Sequence, residues 1–495
     1  MQSQEGEQRR RRWEAPPPYI RGETPIEVKN PEGDLVTKGD WACLTMGVRV
    51  RKEILSRVAR DNEGFFERCP EARRRFDVLC QELDNPGQVR LSLLERSCEA
   101  GEEDLESWND YMRQVGVGEG ENGVTWLSAP WCLAEFLIYR RLAGEIFRYW
   151  DGESGGGDPF ILQKRQGCMS SLPNLSPLCA KLLEKFPSKE DDGVTSLSGD
   201  PSVLFPFFLS SLWGNQADLS LWPVEEPGGE GGRDGETEEK GTERPQAPSG
   251  ASLLADDSGK LLAYLKEKQQ LGKSEGNNFA LRRVDFVTDN AGFELLTDLL
   301  LAEALLSSGI AGEVRMQVKY HPTFVSDACA SDVDSHISSL CGGSMDRKEE
   351  GVSGGGGQMK EKEKERLRLV GERLRRRREK GQLTVIPHPF WSQGIPMWEM
   401  ARRHEKLERD LKENSDLCIV KGDANYRRLL GDRQWELSIP FSEVCGYWPC
   451  PLLALRTLKA EMGVGMDWSL MAKASKEFPN EWMINGHFGV VQFTS

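Results

Sequence analysis

The chain has 495 residues, of which 38% are hydrophobic and 29% charged, and its formal net charge is −15. This length is sufficient for two to four domains with sizeable cores, and the acidic balance argues against a general nucleic-acid-binding protein, whose domains are normally basic. The sequence has no run of ~18 consecutive apolar residues as in a membrane helix, and no apolar segment follows the N-terminal basic run as in a secretory signal. We therefore expect a cytoplasmic protein, with a nuclear location as a second option.

The 12 cysteines are scattered along the chain and contain no C-x-x-C pair, and the five histidines are equally dispersed. A disulfide framework is typical of short secreted chains, and a zinc site needs Cys or His at closer spacing. We expect reduced thiols and neither a disulfide scaffold nor a histidine-based zinc hydrolase.

Four regions follow one another along the chain. Residues 1–38 are polar and proline-rich, which predicts a mobile arm, and residues 39–224 carry the apolar spacing of helices, which predicts a helical N-terminal domain. Residues 225–255 are of low complexity and cannot bury enough apolar surface to order, which predicts a linker. Residues 256–495 have the strand and helix patterns of an α/β domain. A Gly/Ser-rich and then highly charged segment at about 331–381 is interpreted as an insertion in a surface loop.

Three short apolar runs in the C-terminal half predict buried strands. The first is followed by Asp289 and Asn290, the second by Asp327 and the third by Asp423, and helical spacing over residues 292–308 predicts a crossover helix between the first two. We predict a Rossmann-like α/β domain with a largely parallel sheet flanked by helices. Because ligands of such sheets bind outside the carboxyl ends of the strands, the acidic groups are expected at one edge.

Clustered oxygen donors at this edge favour a divalent cation between them. Asp289, Asn290 and Asp327 offer two carboxylates and one amide carbonyl, a set that suits Mg²⁺ or Mn²⁺ rather than a soft metal. The alternative is that Asp289 or Asn290 only caps the following helix. Glu294, in the first turn of that helix, is placed to orient a water or a metal ligand, or only favours the helix dipole.

Two further segments carry cationic side chains. Residues Asp423 to Arg427 have the form of a strand end, a turn and a helix start, where free N–H groups attract phosphate and Arg427 can add a forked contact. The alternative is that Asp423 and Asn425 are only helix caps. Arg456 and Lys459 are three residues apart, which on a helix places both on one face as a clamp for a phosphoryl group. Such a pair is otherwise a solvated helix face.

Together these segments resemble those of the metal-dependent damage-control phosphatases, in the eukaryotic branch that is marked by an R-T-x-K motif. Members of this branch have also been described as protein-glutamate methyltransferases. The resemblance covers roughly residues 40–225 and 281–495. Its motifs are D-N-x-G-F-E-L-x-T-D-L at 289–299, F-V-S-D at 324–327, K-G-D-x-N-Y-R at 421–427, G-D-R-x-W-E at 431–436, R-T-L-K-A-E at 456–461, W-x-x-x-P-W at 126–131, Y-R-R at 139–141 and S-L-W-G-N-x-x-D-L-S-L at 211–221.

The resemblance implies a phosphatase that hydrolyses phosphomonoesters of small sugars, such as fructose 1-phosphate or fructose 6-phosphate, with Mn²⁺, Ni²⁺, Co²⁺ or Mg²⁺. Asp289 and Asp327 would be catalytic and, with Asn290, would bind both the metal and the substrate. Glu294 and Arg456 would support this site. The remaining substrate contacts would be Asp423, Ala424, Asn425, Tyr426, Arg427 and Lys459.

Two other functions are considered. A methyltransferase that uses S-adenosylmethionine usually has a Gly-rich turn after its first strand, whereas D-N-A-G-F-E puts a carboxylate where the cofactor's own carboxylate would be repelled. A non-catalytic scaffold that binds partners through its charged segment is disfavoured by the intact set of oxygen donors and cationic segments. The expected partner is a small phosphorylated sugar, with no nucleic acid and no membrane.

Overall fold

The computed structural model describes residues 26–29, 35–39, 41–95, 104–149, 157–187, 199–214, 253–343 and 359–495. Most of the predicted arm and nearly all of the predicted linker lie outside these ranges. Within the arm, strands β1 (Ile26–Lys29) and β2 (Leu35–Gly39) pair in antiparallel fashion. Part of the segment that we predicted to be a mobile arm therefore forms two paired strands.

The described residues between 41 and 214 are mostly helical, as predicted. Pro70 stands at the first position of one of these helices, where its missing N–H costs no hydrogen bond. Two π-helical stretches, Thr45–Leu55 and Leu142–Ile146, continue neighbouring helices. The α-helices are α1 (Trp41–Leu44), α2 (Ser56–Asp61), α3 (Glu63–Arg68), α4 (Pro70–Asp84), α5 (Leu105–Gln114), α6 (Trp131–Arg141), α7 (Ile161–Lys185) and α8 (Phe205–Gly214).

The C-terminal half is built on one seven-stranded sheet with the order β3-β9-β8-β7-β4-β5-β6. Strands β8, β7, β4, β5 and β6 run parallel, and β9 runs antiparallel to β8. This confirms the predicted Rossmann-like α/β fold. The strands are β3 (Leu253–Asp256), β4 (Leu281–Val287), β5 (Ala311–Lys319), β6 (Leu383–His388), β7 (Leu417–Lys421), β8 (Leu452–Thr457) and β9 (Gly489–Thr494).

Helices cover both faces of this sheet. The helix that follows β4 has buried side chains at every position from Glu294 to Ser307, because it lies between the sheet and other helices. No helix in the described part of the chain is long and apolar enough to cross a membrane. These helices are α9 (Ser258–Glu275), α10 (Phe293–Ser307), α11 (Ala330–Leu340), α12 (Glu361–Glu379), α13 (Met400–Arg403), α14 (Glu405–Asn414), α15 (Asp423–Leu429), α16 (Phe441–Cys445) and α17 (Trp468–Glu477).

The segment 331–381 requires a correction. Helices α11 and α12 form the crossover between β5 and β6, and their apolar faces bury Ile337, Leu367 and Leu374 in the same core as the sheet. Only residues 344–358 between them lie outside the described structure. The high charge of α12 suggested a surface insertion, but a narrow apolar stripe was sufficient to pack it into the core.

The two predicted domains share a core. Helices α7 and α8 pack against α10 of the α/β half, and Gly214 allows this approach because a Cβ there would lie 2.8 Å from the Cα of Glu294. The other helices form a second apolar cluster that also includes Val325 and Met462 from loops at the edge of the sheet. The helical half therefore supports the loops that carry the predicted site.

Candidate active site

The carboxyl ends of β8, β7, β4 and β5 lie side by side at one edge of the sheet. Strand β4 is flanked by β5 on one side and β7 on the other, so the order of the strands reverses here, which is where ligands bind in such sheets. Gly422 shows how closely the ends of β4 and β7 approach, because a Cβ there would lie 1.9 Å from Oδ2 of Asp289. The acidic segments share one edge, the arrangement that the sequence pattern predicted, and their chemical roles stay predictions.

The three predicted metal ligands are held together by the backbone. Asn290 and Asp327 form an isolated antiparallel bridge, and on either side of it Ala328 N donates to Asp289 O at 2.7 Å and Ala291 N donates to Ser326 O at 2.6 Å. The side chains of Asp289 and Asp327 are buried. Two loops that are distant in sequence thus bring the backbones of Asp289, Asn290 and Asp327 together.

The contacts of Asn290 fix the orientation of its amide. Its Nδ2 donates to Asp289 Oδ2 and to Glu294 Oε2, both at 2.8 Å, and its Oδ1 accepts a hydrogen bond from Ser326 Oγ at 2.5 Å. Ionised carboxylates only accept hydrogen bonds, so the amide nitrogen must face them. Glu294 therefore helps to fix the orientation of the Asn290 amide, and its role in orienting a metal ligand stays a prediction.

Lys421 keeps Glu294 in place. Its Nζ lies 2.9 Å from Glu294 Oε1 and 3.1 Å from Asp298 Oδ1, and it also donates to the carbonyl oxygen of Ser211. Burial would lower the pKa of Lys421, but the carboxylates of Asp298 and Glu294 outweigh burial and raise this pKa above its ordinary value. This buried ammonium joins the end of β7 to α10 and α8 directly behind the predicted metal ligands.

Asp298 provides a testable pH dependence. Burial raises its pKa from 3.8 to about 6, against the opposing effect of Lys421. Between these values the folded protein holds a proton that the unfolded chain has lost, so this group contributes stability below about pH 4 that is lost as the pH rises to about 6. We expect the difference in unfolding free energy between Asp298→Asn and wild type to shift by up to about 3 kcal/mol in favour of the variant as the pH rises from about 4 to 7. Urea unfolding across this range measures the difference, and a constant difference would contradict the raised pKa.

Asp423 organises the turns after β7 and β8. Its Oδ1 accepts hydrogen bonds from Arg456 Nε at 2.7 Å and from the backbone N of Lys459 at 3.1 Å. The same guanidinium donates to the carbonyl oxygens of Ala460 and Met462, at 2.9 and 2.6 Å. Arg456 is therefore a buried support for the loop that carries Lys459, and its role in the site stays a prediction.

The prediction that Arg456 and Lys459 share a helical face was wrong. Arg456 lies in β8, and Lys459 follows the end of that strand. The run Leu452 to Thr457 pairs with β7 on one side and β9 on the other, and this central position in the sheet overrides the helical spacing of the two cations. Lys459 consequently lies at the same edge of the sheet as Asp423.

Residues 424–427 are placed in α15, and their side chains differ in surroundings. Asn425 donates from Nδ2 to the carbonyl oxygens of Thr288 and Lys421, and Tyr426 donates to Gln492 Oε1 at 2.6 Å. Ala424 packs against the apolar cluster of the helical half. These contacts anchor the helix, and the predicted contacts of residues 424–427 with substrate stay predictions.

Arg427 ties the two halves of the protein together. Its guanidinium lies 3.5 Å from the ring centre of Trp131, and it bonds to Glu135 Oε2 at 2.7 Å and to Asp432 Oδ1 at 3.0 Å. Asp432 in turn accepts a hydrogen bond from Cys132 N at the start of α6. With two carboxylates and an aromatic face already in contact, Arg427 has a structural role in this arrangement, and the forked phosphate contact is untested.

His336 was not identified from the sequence. Its Nε2 accepts a hydrogen bond from Gly292 N at 2.7 Å, where the chain turns into α10 with a φ of 77°. Burial lowers the pKa of His336 to about 4, so the ring is neutral and able to accept. Helix α11 thereby holds the turn that carries Asp289 and Asn290, and no spacing in the sequence signals this contact.

Phe324, in the loop that leads to Asp327, has a φ of 52°, which is costly for a bulky side chain. Its ring packs on Phe136 and Tyr139 of α6, with ring centres 4.8 and 5.0 Å apart. The helical half therefore holds this loop in an otherwise unfavourable conformation.

The donor set fits a hard divalent cation. Among the described residues, no three His, Cys, Asp or Glu side chains converge as a metal centre, and the predicted set has only two carboxylates, with an amide as the third donor. Oxygen donors of this kind, two of them charged and buried, suit Mg²⁺ or Mn²⁺ with open positions for water or substrate.

This Rossmann-like sheet carries buried carboxylates and buried cationic side chains at the point where the order of its strands reverses. Such an arrangement is typical of an α/β enzyme that binds a charged ligand. The family model described as "Damage-control phosphatase ARMT1-like domain" matches residues 51–470. The chain belongs to this family, and it is accordingly a phosphatase. The family is generally dependent on a divalent metal.

Similar proteins agree with this assignment. "Damage-control phosphatase ARMT1" of Danio rerio is 32% identical over 468 residues, covering 92% of this chain and 95% of the relative. The proteins of the same name from Xenopus laevis and Homo sapiens are 31% and 29% identical, and the alignments cover 97% and 96% of those proteins. The similarity thus spans both the helical and the α/β half.

Proposed function

We propose that this protein is a metal-dependent phosphatase that hydrolyses phosphomonoesters of small sugars, with ketose phosphates such as fructose 1-phosphate or fructose 6-phosphate as substrates. The observation that carries the proposal is the backbone bridge between Asn290 and Asp327, which joins the predicted metal ligands at the sheet edge that also carries Asp423 and Lys459. This oxygen donor set suits Mn²⁺ and Mg²⁺, and Co²⁺ and Ni²⁺ are the further cations that the resemblance implies.

In this proposal Asp289, Asn290 and Asp327 hold the cation, which when bound polarises the phosphoryl oxygens. The amide nitrogen of Asn290 donates to Asp289 and Glu294. The amide oxygen of Asn290 therefore faces away from these two carboxylates. Phosphoryl transfer depends on positioning and charge compensation more than on covalent chemistry. The protein supplies both through preorganised groups in a buried edge of the sheet.

Asp423 and Lys459 follow β7 and β8 at the same edge of the sheet. The carboxylate of Asp423 fixes the backbone of Lys459, and the ammonium of Lys459 then compensates the negative charge of the phosphate. Asp423 also pairs with the Arg456 guanidinium, so its negative charge is compensated within the protein.

A methyltransferase function has less support. A cofactor with its own carboxylate would meet the buried Asp289 after β4 and the backbone of Gly422 after β7, and a Cβ on Gly422 would already lie 1.9 Å from Asp289. Because like charges repel, this closely packed and acidic edge of the sheet disfavours the binding of S-adenosylmethionine.

Release of orthophosphate from a substrate panel tests the proposal. Fructose 1-phosphate and fructose 6-phosphate are compared with glucose 6-phosphate and glycerol 3-phosphate, in the presence of Mn²⁺, with Asp289→Asn as the blank. We expect the ketose phosphates to give the highest kcat/KM. Faster hydrolysis of glycerol 3-phosphate would contradict the sugar assignment, and methyl transfer from S-adenosylmethionine without phosphate release would contradict the phosphatase assignment.

A further inference from the structure

Two buried lysines lie at the ends of β5 and β7, the strands on either side of β4, and they differ in their surroundings. Lys421, at the end of β7, has three oxygen acceptors for its three N–H groups: Glu294, Asp298 and the carbonyl of Ser211. An ammonium has three donors and no acceptor. The hydrogen-bonding capacity of Lys421 is therefore fully used within the protein, as expected of a structural buried lysine.

Lys319, at the end of β5, is buried equally well, with a side chain that is 0% exposed. Its Nζ lies 3.1 Å from Asp327 Oδ2 and, at a longer 3.3 Å, from Asn425 Oδ1. The ring centre of Phe136 is 5.5 Å away. Among the described residues this ammonium thus meets two oxygen acceptors, one of them neutral, so one N–H has no oxygen partner.

A buried ammonium with incomplete compensation is costly. The position of Lys319 indicates which group would accept its remaining hydrogen bond. Lys319 lies between Asp327, a predicted metal ligand, and Asn425, a predicted substrate contact. An anionic oxygen that arrives between these two residues would be within reach of the remaining donor. A phosphoryl oxygen has the charge and the acceptor capacity that this position lacks.

We propose that Lys319 is a further catalytic residue, which donates a hydrogen bond to a phosphoryl oxygen of the substrate. This inference rests on the proposed phosphatase function and adds a contact from β5, on the side of the site opposite to Lys459. Lys319 also keeps the carboxylate of Asp327 oriented in the absence of phosphate. No proton is transferred, and the lysine acts as a fixed positive charge.

Binding of orthophosphate to the Mn²⁺-loaded protein tests the proposal. Lys319→Met keeps the length of the side chain and removes the charge, and Lys319→Gln retains an N–H for Asp327 should the methionine variant fail to fold. Lys473→Met, at an exposed position of α17, is the matched control for the loss of one positive charge. Titration calorimetry measures the phosphate affinity, and electron paramagnetic resonance measures Mn²⁺ affinity without phosphate.

We expect the Lys319 variants to lose about 10- to 100-fold in phosphate affinity, with Mn²⁺ affinity unchanged or higher because a cation beside Asp327 is removed. Lys473→Met should match wild type. Unchanged phosphate affinity in a folded Lys319 variant would overturn the proposal and leave Lys319 as a charge partner of Asp327. If wild type itself binds no orthophosphate with Mn²⁺ present, the proposed function fails rather than this contact.

Discussion

The variants Asp289→Asn and Asp327→Asn are expected to lose at least about 10³-fold in kcat/KM for sugar phosphates. Each change keeps the size of the side chain and removes one of the two buried carboxylates that would hold the cation. Because neither neutral amide can replace that charge, the cation and the polarisation that it supplies are lost together. Steady-state orthophosphate release with saturating Mn²⁺ measures the effect.

The matched control is Asp334→Asn, which removes an exposed carboxylate of α11 that pairs with Arg378 at the surface. This control should retain wild-type kinetics, because exposed ion pairs contribute little. All three variants should stay folded by circular dichroism. A folded Asp289→Asn protein with full turnover would mean that the chemistry lies elsewhere.

The second large effect is expected at Gly422, between β7 and α15. Its φ of 80° is unfavourable for any residue with a Cβ, and an added Cβ would lie 1.9 Å from Oδ2 of Asp289. Gly422→Ala must therefore displace the Asp289 carboxylate or the backbone of β7. We expect a loss of about 2–5 kcal/mol in unfolding free energy, together with nearly complete loss of activity.

Gly276→Ala separates the two causes. Gly276 ends α9 with a φ of 72°, and no atom lies within 4 Å of its Cβ position. This control has the backbone cost without the contact, so it should lose about 1 kcal/mol and keep its activity. Equal stability losses in the two variants, with activity retained in Gly422→Ala, would show that Gly422 does not press on Asp289.

Much of the fold could be predicted because the pattern of the central strands is local. The runs before Asp289 and Asp423 are short, apolar and rich in β-branched residues, which is typical of strands buried on both faces. Their order along the chain, with a helix between β4 and β5, was sufficient to predict a Rossmann-like sheet. From this topology alone the acidic residues were expected at one edge.

The errors arose where tertiary contacts decide the structure. Arg456 and Lys459 have helical spacing, but the pairing of β8 in the middle of the sheet determines their conformation. Helix α12 carries many charges, and its segment was interpreted as an insertion in a surface loop, although Leu367 and Leu374 are buried. A local sequence pattern does not determine which strand or helix a segment will pack against in the folded protein.

The supporting residues of the site were missed for a related reason. The roles of Lys319, Lys421 and His336 follow from partners that are distant in sequence. Lysine is rarely buried without a charged partner. Because most partners of these two lysines are distant in sequence, the sequence alone does not predict that both side chains are buried. The lowered pKa of His336 likewise results from burial, which only the packed structure reveals.

The most direct test of the central claim is the metal dependence of phosphate release from fructose 1-phosphate. The protein is treated with excess EDTA, dialysed and assayed before and after addition of Mn²⁺, Co²⁺ or Ni²⁺. Because the candidate ligands are two carboxylates and an amide at the edge of the sheet, we expect activity to disappear on chelation and to return with metal. Full activity in excess EDTA would contradict the assignment of Asp289, Asn290 and Asp327 as a metal site.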